Sequence, residues 1–144
     1  MTMQYSRLAL WINRLVLAAA TAIFTAIGLR HIADPVGASA ATGAALNSAL
    51  AITTTRIGFG AFPFSFALFS FYCLLSKQRL RTGVSLVATV LTTAILVRLI
   101  STAVDGAAPQ SVRLFIPEAA ILLLSIGGLV LSGSKSALAK GGVA

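Results

Sequence analysis

The sequence predicts an all-α integral membrane protein, an antiparallel four-helix bundle with a short interfacial helix in its first outer loop. Three observations lead there. Of the 144 residues, 58% are hydrophobic and 10% charged, against about 25% charged in an ordinary soluble domain. Four apolar runs take up most of the chain, each near the roughly 20 residues that a bilayer-spanning helix needs. The charges stand mostly at the ends of those runs, the arrangement that sets membrane topology. Residues 1–144 therefore read as a single four-span membrane domain.

The first span covers residues 8–29 and is interrupted only by Asn13 and Arg14. Arg7 ahead of an apolar stretch and the small residues AAATA look like a signal peptide. The run, however, exceeds the roughly 7 to 15 residues of a signal core and carries Arg14 inside it, so a retained helix is expected. Arg14 lies toward the inner end, where its charge can snorkel to the headgroups, and Trp11 suits an interface anchor.

Residues 30–48 form the long first outer loop. Asp34 before Pro35 has the pattern of an N-cap with proline in the first helical position, so a short helix is expected there, ended by Gly43. From about Asn47 the chain returns to helix and runs into the second span, residues 49–76, which is uncharged from Ile57 onward. Gly58, Gly60 and Pro63 permit close approach and a kink near Arg56. Phe59, Phe62, Phe66 and Phe69 recur at spacings of three and four. Such a wall suits a quinone or an acyl chain, and equally plain lipid contact, since phenylalanine stands nearly all round this helix.

The third span, 82–104, contains Arg98, and the fourth, 114–133, contains Glu118. Small-residue stripes at Ala18, Ala22 and Ala26, at Ser85, Thr89 and Thr93, and at Gly128 and Ser132 are expected to face neighbouring helices.

Four spans put both termini and the second loop on one side. That side carries Arg7, Lys77, Arg79, Arg81, Lys135 and Lys140, and the other carries Arg30, Arg56 and Arg113 beside Asp34 and Asp105. The triplet in KQRLR sits in a very short loop, where the positive-inside rule is most reliable, so both termini are expected in the cytoplasm.

The net charge of +8, eleven Lys and Arg against three acids, would suggest nucleic acid in a soluble chain. Cations scattered over span ends build no phosphate-tracking face, and no nucleic-acid partner is expected. Cys73 is the only cysteine, which excludes an intramolecular disulfide and CxxC chemistry. His31 has no second ligand at metal-binding spacing, so no metal and no cofactor are expected. No nucleophile, base and metal set can be assembled, and the chain is not expected to be an enzyme.

Depth picks out the charges that need a reason. At about 1.5 Å per residue, Arg98 lies roughly 7 Å outward of the third span's midpoint, and Glu118 is similarly placed in the fourth. The short connection between these spans makes them antiparallel neighbours. An ion pair would offset much of the cost of each charge, about 2.5 to 3.5 kcal/mol alone at a helix centre. The alternative is that Arg98 snorkels outward and Glu118 stays protonated.

Ser101, Thr102 and Asp105 extend the Arg98 face outward, and Arg56, Arg30 and His31 stand at comparable height on other spans. The cluster of Arg56, Arg98, Asp105 and Glu118, with Arg30, His31, Phe62 and Phe66 beside it, admits three readings. It anchors helices structurally, it binds an anionic headgroup or small anion, or Glu118 handles protons. The corresponding functions are a structural or accessory membrane protein, and a lipid- or anion-binding protein or minimal transporter acting as a homo-oligomer. The partners expected are the lipid bilayer and a membrane protein or a second copy of the chain.

The stretches GLRHIADPVG, TTTRIGFGAF, VRLISTAVDG and IPEAAILLL, in this order across Ala22 to Leu131, resemble the DUF4345 family of small bacterial four-helix membrane proteins. The resemblance matches Arg56 with Gly58 and Gly60, Arg98 with Asp105 and Gly106, and Glu118 to family positions. This chain has Gly-Phe-Gly where the family has adjacent glycines, and threonines where an acid often precedes the arginine, so no partner for Arg56 is implied. The family is of unknown function; the resemblance implies a bacterial inner membrane and supplies no activity.

Overall fold

The computed structural model describes the backbone of residues 7–106 and 108–138, and the side chains of 7–106 and 115–132. Arg113, Lys135 and Lys140, which count in the charge balance of the two sides, lie outside the described side chains. All regular structure among the described residues is helical: α1 (Arg7–Ala33), α2 (Pro35–Ala40), α3 (Ala49–Thr55), a π-helical segment (Arg56–Ala61), α4 (Phe62–Leu74), α5 (Leu80–Asp105) and α6 (Ala108–Leu138). Four stretches are long and apolar enough to cross a membrane, Arg7–Ala33, Ala49–Leu74, Leu80–Asp105 and Phe115–Ser132. Helix α6 begins at Ala108, ahead of the Leu114 expected from hydropathy, because the chain turns helical at once after the connection, with Pro109 in its first turn.

Roughly a fifth of each of these stretches is buried within the protein, 17 to 22%. The rest presents side chains such as Leu96, Ile100 and Val104 outward, the last 78% exposed. Soluble monomers rarely expose contiguous apolar surface on that scale, whereas hydrocarbon requires it. This is the chemistry of a multi-pass membrane protein.

The chain divides into two compact units, Met1–Leu17 with Cys73–Ala144, and Ala18–Tyr72. In the second of these, Ile32 meets Gly60, Gly28 meets Gly60 and Phe64, and the Phe24 ring lies 6.0 Å from that of Phe66. Rising numbers on one helix meet falling numbers on the other, so the two run in opposite directions. The approach is backbone to backbone: a Cβ on Gly28 would stand 2.9 Å from both Gly60 O and Phe64 N. Small residues at a crossing allow this, and the dispersion it recovers is what drives helix association where water is absent.

The loop follows its chemistry closely. The Asp34 carboxylate accepts from Gly37 N at 2.9 Å and Pro35 opens α2, as N-cap and first-turn preferences dictate. Helix α2 ends at Ala40, ahead of Gly43, and Ser48 caps α3 with its hydroxyl on Ala51 N at 3.1 Å. Near Arg56, where a kink is expected, the helix widens into a π-helical turn, in which Phe62 N–H bonds Ile57 O five residues back. Pro63 has no N–H to continue the α ladder, and widening the turn redistributes the carbonyls it leaves.

In the other unit, α5 packs against α6. The buried face of α5 is Leu80, Gly83, Val84, Val87 and Leu91. Ser85, Thr89 and Thr93, expected as the packing stripe, point outward instead. The reason is local: Thr89 and Thr93 hydroxyls donate to the carbonyls four residues back, at 2.9 and 3.0 Å, so they need no neighbour. Ala18, Ala22 and Ala26 are likewise exposed, whereas Gly128 and Ser132 are buried as expected.

That last pair meets Asn13, which is fully buried. Its Nδ2 donates to Ser132 Oγ at 3.0 Å, and the hydroxyl in turn donates to Gly128 O at 2.6 Å. The Asn13 Oδ1 rests against Gly128, in the space a Cβ would fill. Gly128→Ala is therefore expected to destabilise the protein by about 1–3 kcal/mol, and Asn13→Ala in the same chain to recover most of it; thermal unfolding in micelles of the two single variants and the double variant measures both.

Candidate functional site

Arg98 and Glu118 meet. Arg98 Nε donates to Glu118 Oε2 at 3.0 Å and Nη2 donates to Oε1 at 2.6 Å, a bidentate fork that matches both oxygens of the carboxylate. The two side chains are 24% and 23% exposed. Leu96, Val97, Leu99 and Ile100 around Arg98 are exposed and apolar, so the pair is a polar island on a greasy surface. Snorkelling alone does not describe Arg98, because its guanidinium is engaged at the depth where the helix places it.

The site is positioned by two helices, α5 and α6, and a proline within the second. Arg98 falls two turns before the end of α5, which Gly106 closes with φ 72°, its N–H on Thr102 O. Glu118 follows Pro117 inside α6. Proline removes one helical donor there.

The other residues of the expected cluster are placed separately. Asp105 ends α5 and is exposed, with no ion pair to a described residue. Arg56 belongs to the other compact unit, exposed at the first position of the π-helical turn. In that same unit Arg30 is exposed near the end of α1. His31 Nδ1 lies 2.9 Å from Ile27 O, and its ring is 5.8 Å from that of Phe59. The carbonyl can only accept, so Nδ1 is the donor in this contact. Phe66 packs on Phe24, whereas Phe62 is 61% exposed.

Residues 12–133 match a family model described as Domain of unknown function (DUF4345). The chain belongs to the DUF4345 family. The match takes in the third and fourth spans and the loop between the first two, so Arg56, Arg98, Asp105 and Glu118 of this DUF4345 chain all lie within the family's domain. No curated protein and no solved structure matches it.

Two features of this DUF4345 chain escape a reading of its sequence. Asn13 shows there only as an interruption in the first span, although a buried amide in hydrocarbon requires a hydrogen-bond partner, and Ser132 supplies one. Arg14 is expected at the headgroups, yet its Nε is buried with no hydrogen-bond partner among the described residues. A cation seven residues inside Arg7 on the same helix is the signal for that.

Proposed function

We propose that this protein is a structural or accessory component of the bacterial inner membrane and not an enzyme, with both termini in the cytoplasm. In this reading its four spans form one antiparallel bundle and α2 lies at the outer interface. The observation that carries it is the closed Arg98–Glu118 fork. Each charge there satisfies the other, which suits a clamp between two helices better than a group waiting for substrate. A charge pair retained in an apolar span specifies which helix faces meet and in what register.

The exposed apolar surface beside the clamp, from Leu96 to Val104, is where a membrane partner or a second copy would seat. A pull-down of the tagged protein in mild detergent, with mass spectrometry of what accompanies it, tests this. A stoichiometric protein partner is the expected result. A lipid or small anion in place of a protein sinks the accessory role and favours the second reading, a lipid- or anion-binding protein or homo-oligomeric transporter. What favours that second reading is Arg56 on a π-helical turn, a distortion frequent at functional sites, with Arg30 and His31 in the same unit.

A further inference from the structure

We infer that Arg14, Lys77 and Arg79 form a binding site for the phosphate of an anionic lipid, at the end of the protein where α1 and α5 begin. Three elements of one compact unit converge there. A Cβ on Gly83 would stand 2.6 Å from Cys73 Cβ and 2.9 Å from Leu17 Cδ2, so α1, the end of α4 and the start of α5 meet at one level. Each carries a cation about one turn beyond that crossing, toward the same end: Arg14 precedes Leu17, Arg79 precedes Gly83, and Lys77 follows Cys73. The turn is held rigid, with Ser76 N on Cys73 O at 3.3 Å and Arg79 N on Ser76 O at 3.0 Å.

The acidic side chains of this unit lie elsewhere. They are Glu118, engaged by Arg98, and Asp105, at the opposite end of the 26-residue α5, about 39 Å along the axis. Arg14 is the decisive member. Its Nε is buried without an acceptor among the described residues, while the residue as a whole stays partly exposed, so its charge is incompletely compensated within the described protein. At the edge of the hydrocarbon the available acceptor is a lipid phosphate, which Arg binds in a planar, forked geometry. Trp11 lies on the same face as Arg7 and Arg14, at spacings of four and three, and is 67% exposed, so its ring flanks the place the lipid would take.

This inference rests on the membrane embedding and is independent of the accessory role. Trp11 is the only tryptophan and reports on its own neighbourhood. The protein is reconstituted in vesicles of dibrominated phosphatidylcholine or dibrominated phosphatidylglycerol mixed with the unlabelled lipid, and bromine quenching of Trp11 gives the relative association of each headgroup.

The wild type is expected to favour phosphatidylglycerol by more than about fivefold, and Arg14→Gln to lose roughly fivefold of that preference. Lys77→Gln, on an exposed turn residue, is expected to lose a similar factor, and Arg14→Lys, which keeps the charge but not the planar fork, to lose part of it. Equal quenching by the two lipids overturns the site while leaving the embedding intact. Absence of quenching by either overturns the embedding as well. Loss of the preference on adding inorganic phosphate, beyond the effect of chloride at the same ionic strength, overturns the lipid as ligand and assigns the site to soluble phosphate.

Discussion

Glu118→Leu lowers the stability of the protein by about 3 kcal/mol, because it strands the Arg98 guanidinium without the carboxylate that now accepts from it. The loss is not that of one hydrogen bond. Both donors of the fork, now satisfied at 3.0 and 2.6 Å, would have to be solvated by drawing water or headgroups inward. The double variant Arg98→Leu/Glu118→Leu is expected to recover much of the loss, since replacing both charges removes the cost along with the attraction. Unfolding in micelles or bicelles, analysed as a double-mutant cycle, gives the coupling directly. The exchange variant, Arg98→Glu with Glu118→Arg, is expected to be more stable than either single reversal; equality with the singles would show that the fork contributes nothing.

Gly28→Leu is the second large effect, with an expected loss of about 3 kcal/mol. The atoms a side chain would meet are Phe64 Cβ at 2.8 Å and the backbone Gly60 O and Phe64 N at 2.9 Å. Backbone atoms cannot rotate away as a side chain could, so α1 and the Gly60–Phe64 stretch must separate, and dispersion contacts along both helices are lost with them. Gly127→Ala is the matched control, since nothing stands within 4 Å of the position; it is expected to be neutral. Thermal unfolding of the two variants side by side separates crowding at the crossing from any general intolerance of glycine replacement.

The Arg98–Glu118 contact is legible in the sequence through a count of residues. Two charges at equal depth on adjacent helices have few alternatives, because each alternative leaves an ion in hydrocarbon. The loop is legible for a similar reason: Asp34, Pro35 and Ser48 act on backbone groups within three residues, so their effect does not depend on the rest of the fold. The stripes at Ala18 and Ser85 are not legible in this way. A small residue permits close approach without requiring it, and a threonine that bonds its own carbonyl has no need of a partner.

Composition and charge placement alone determined that the chain is helical and apolar enough to cross a membrane four times, and which two charges needed each other. These follow from the absence of hydrogen-bonding solvent, a constraint that acts on every residue separately. The tertiary structure decided which faces touch. Gly28 against Gly60, Asn13 against Ser132, and the burial of Arg14 Nε all depend on the rotation of one helix about its axis relative to another. In lipid that rotation is set by close packing between irregular surfaces and not by a contrast between oil and water, so periodicity along the chain does not encode it.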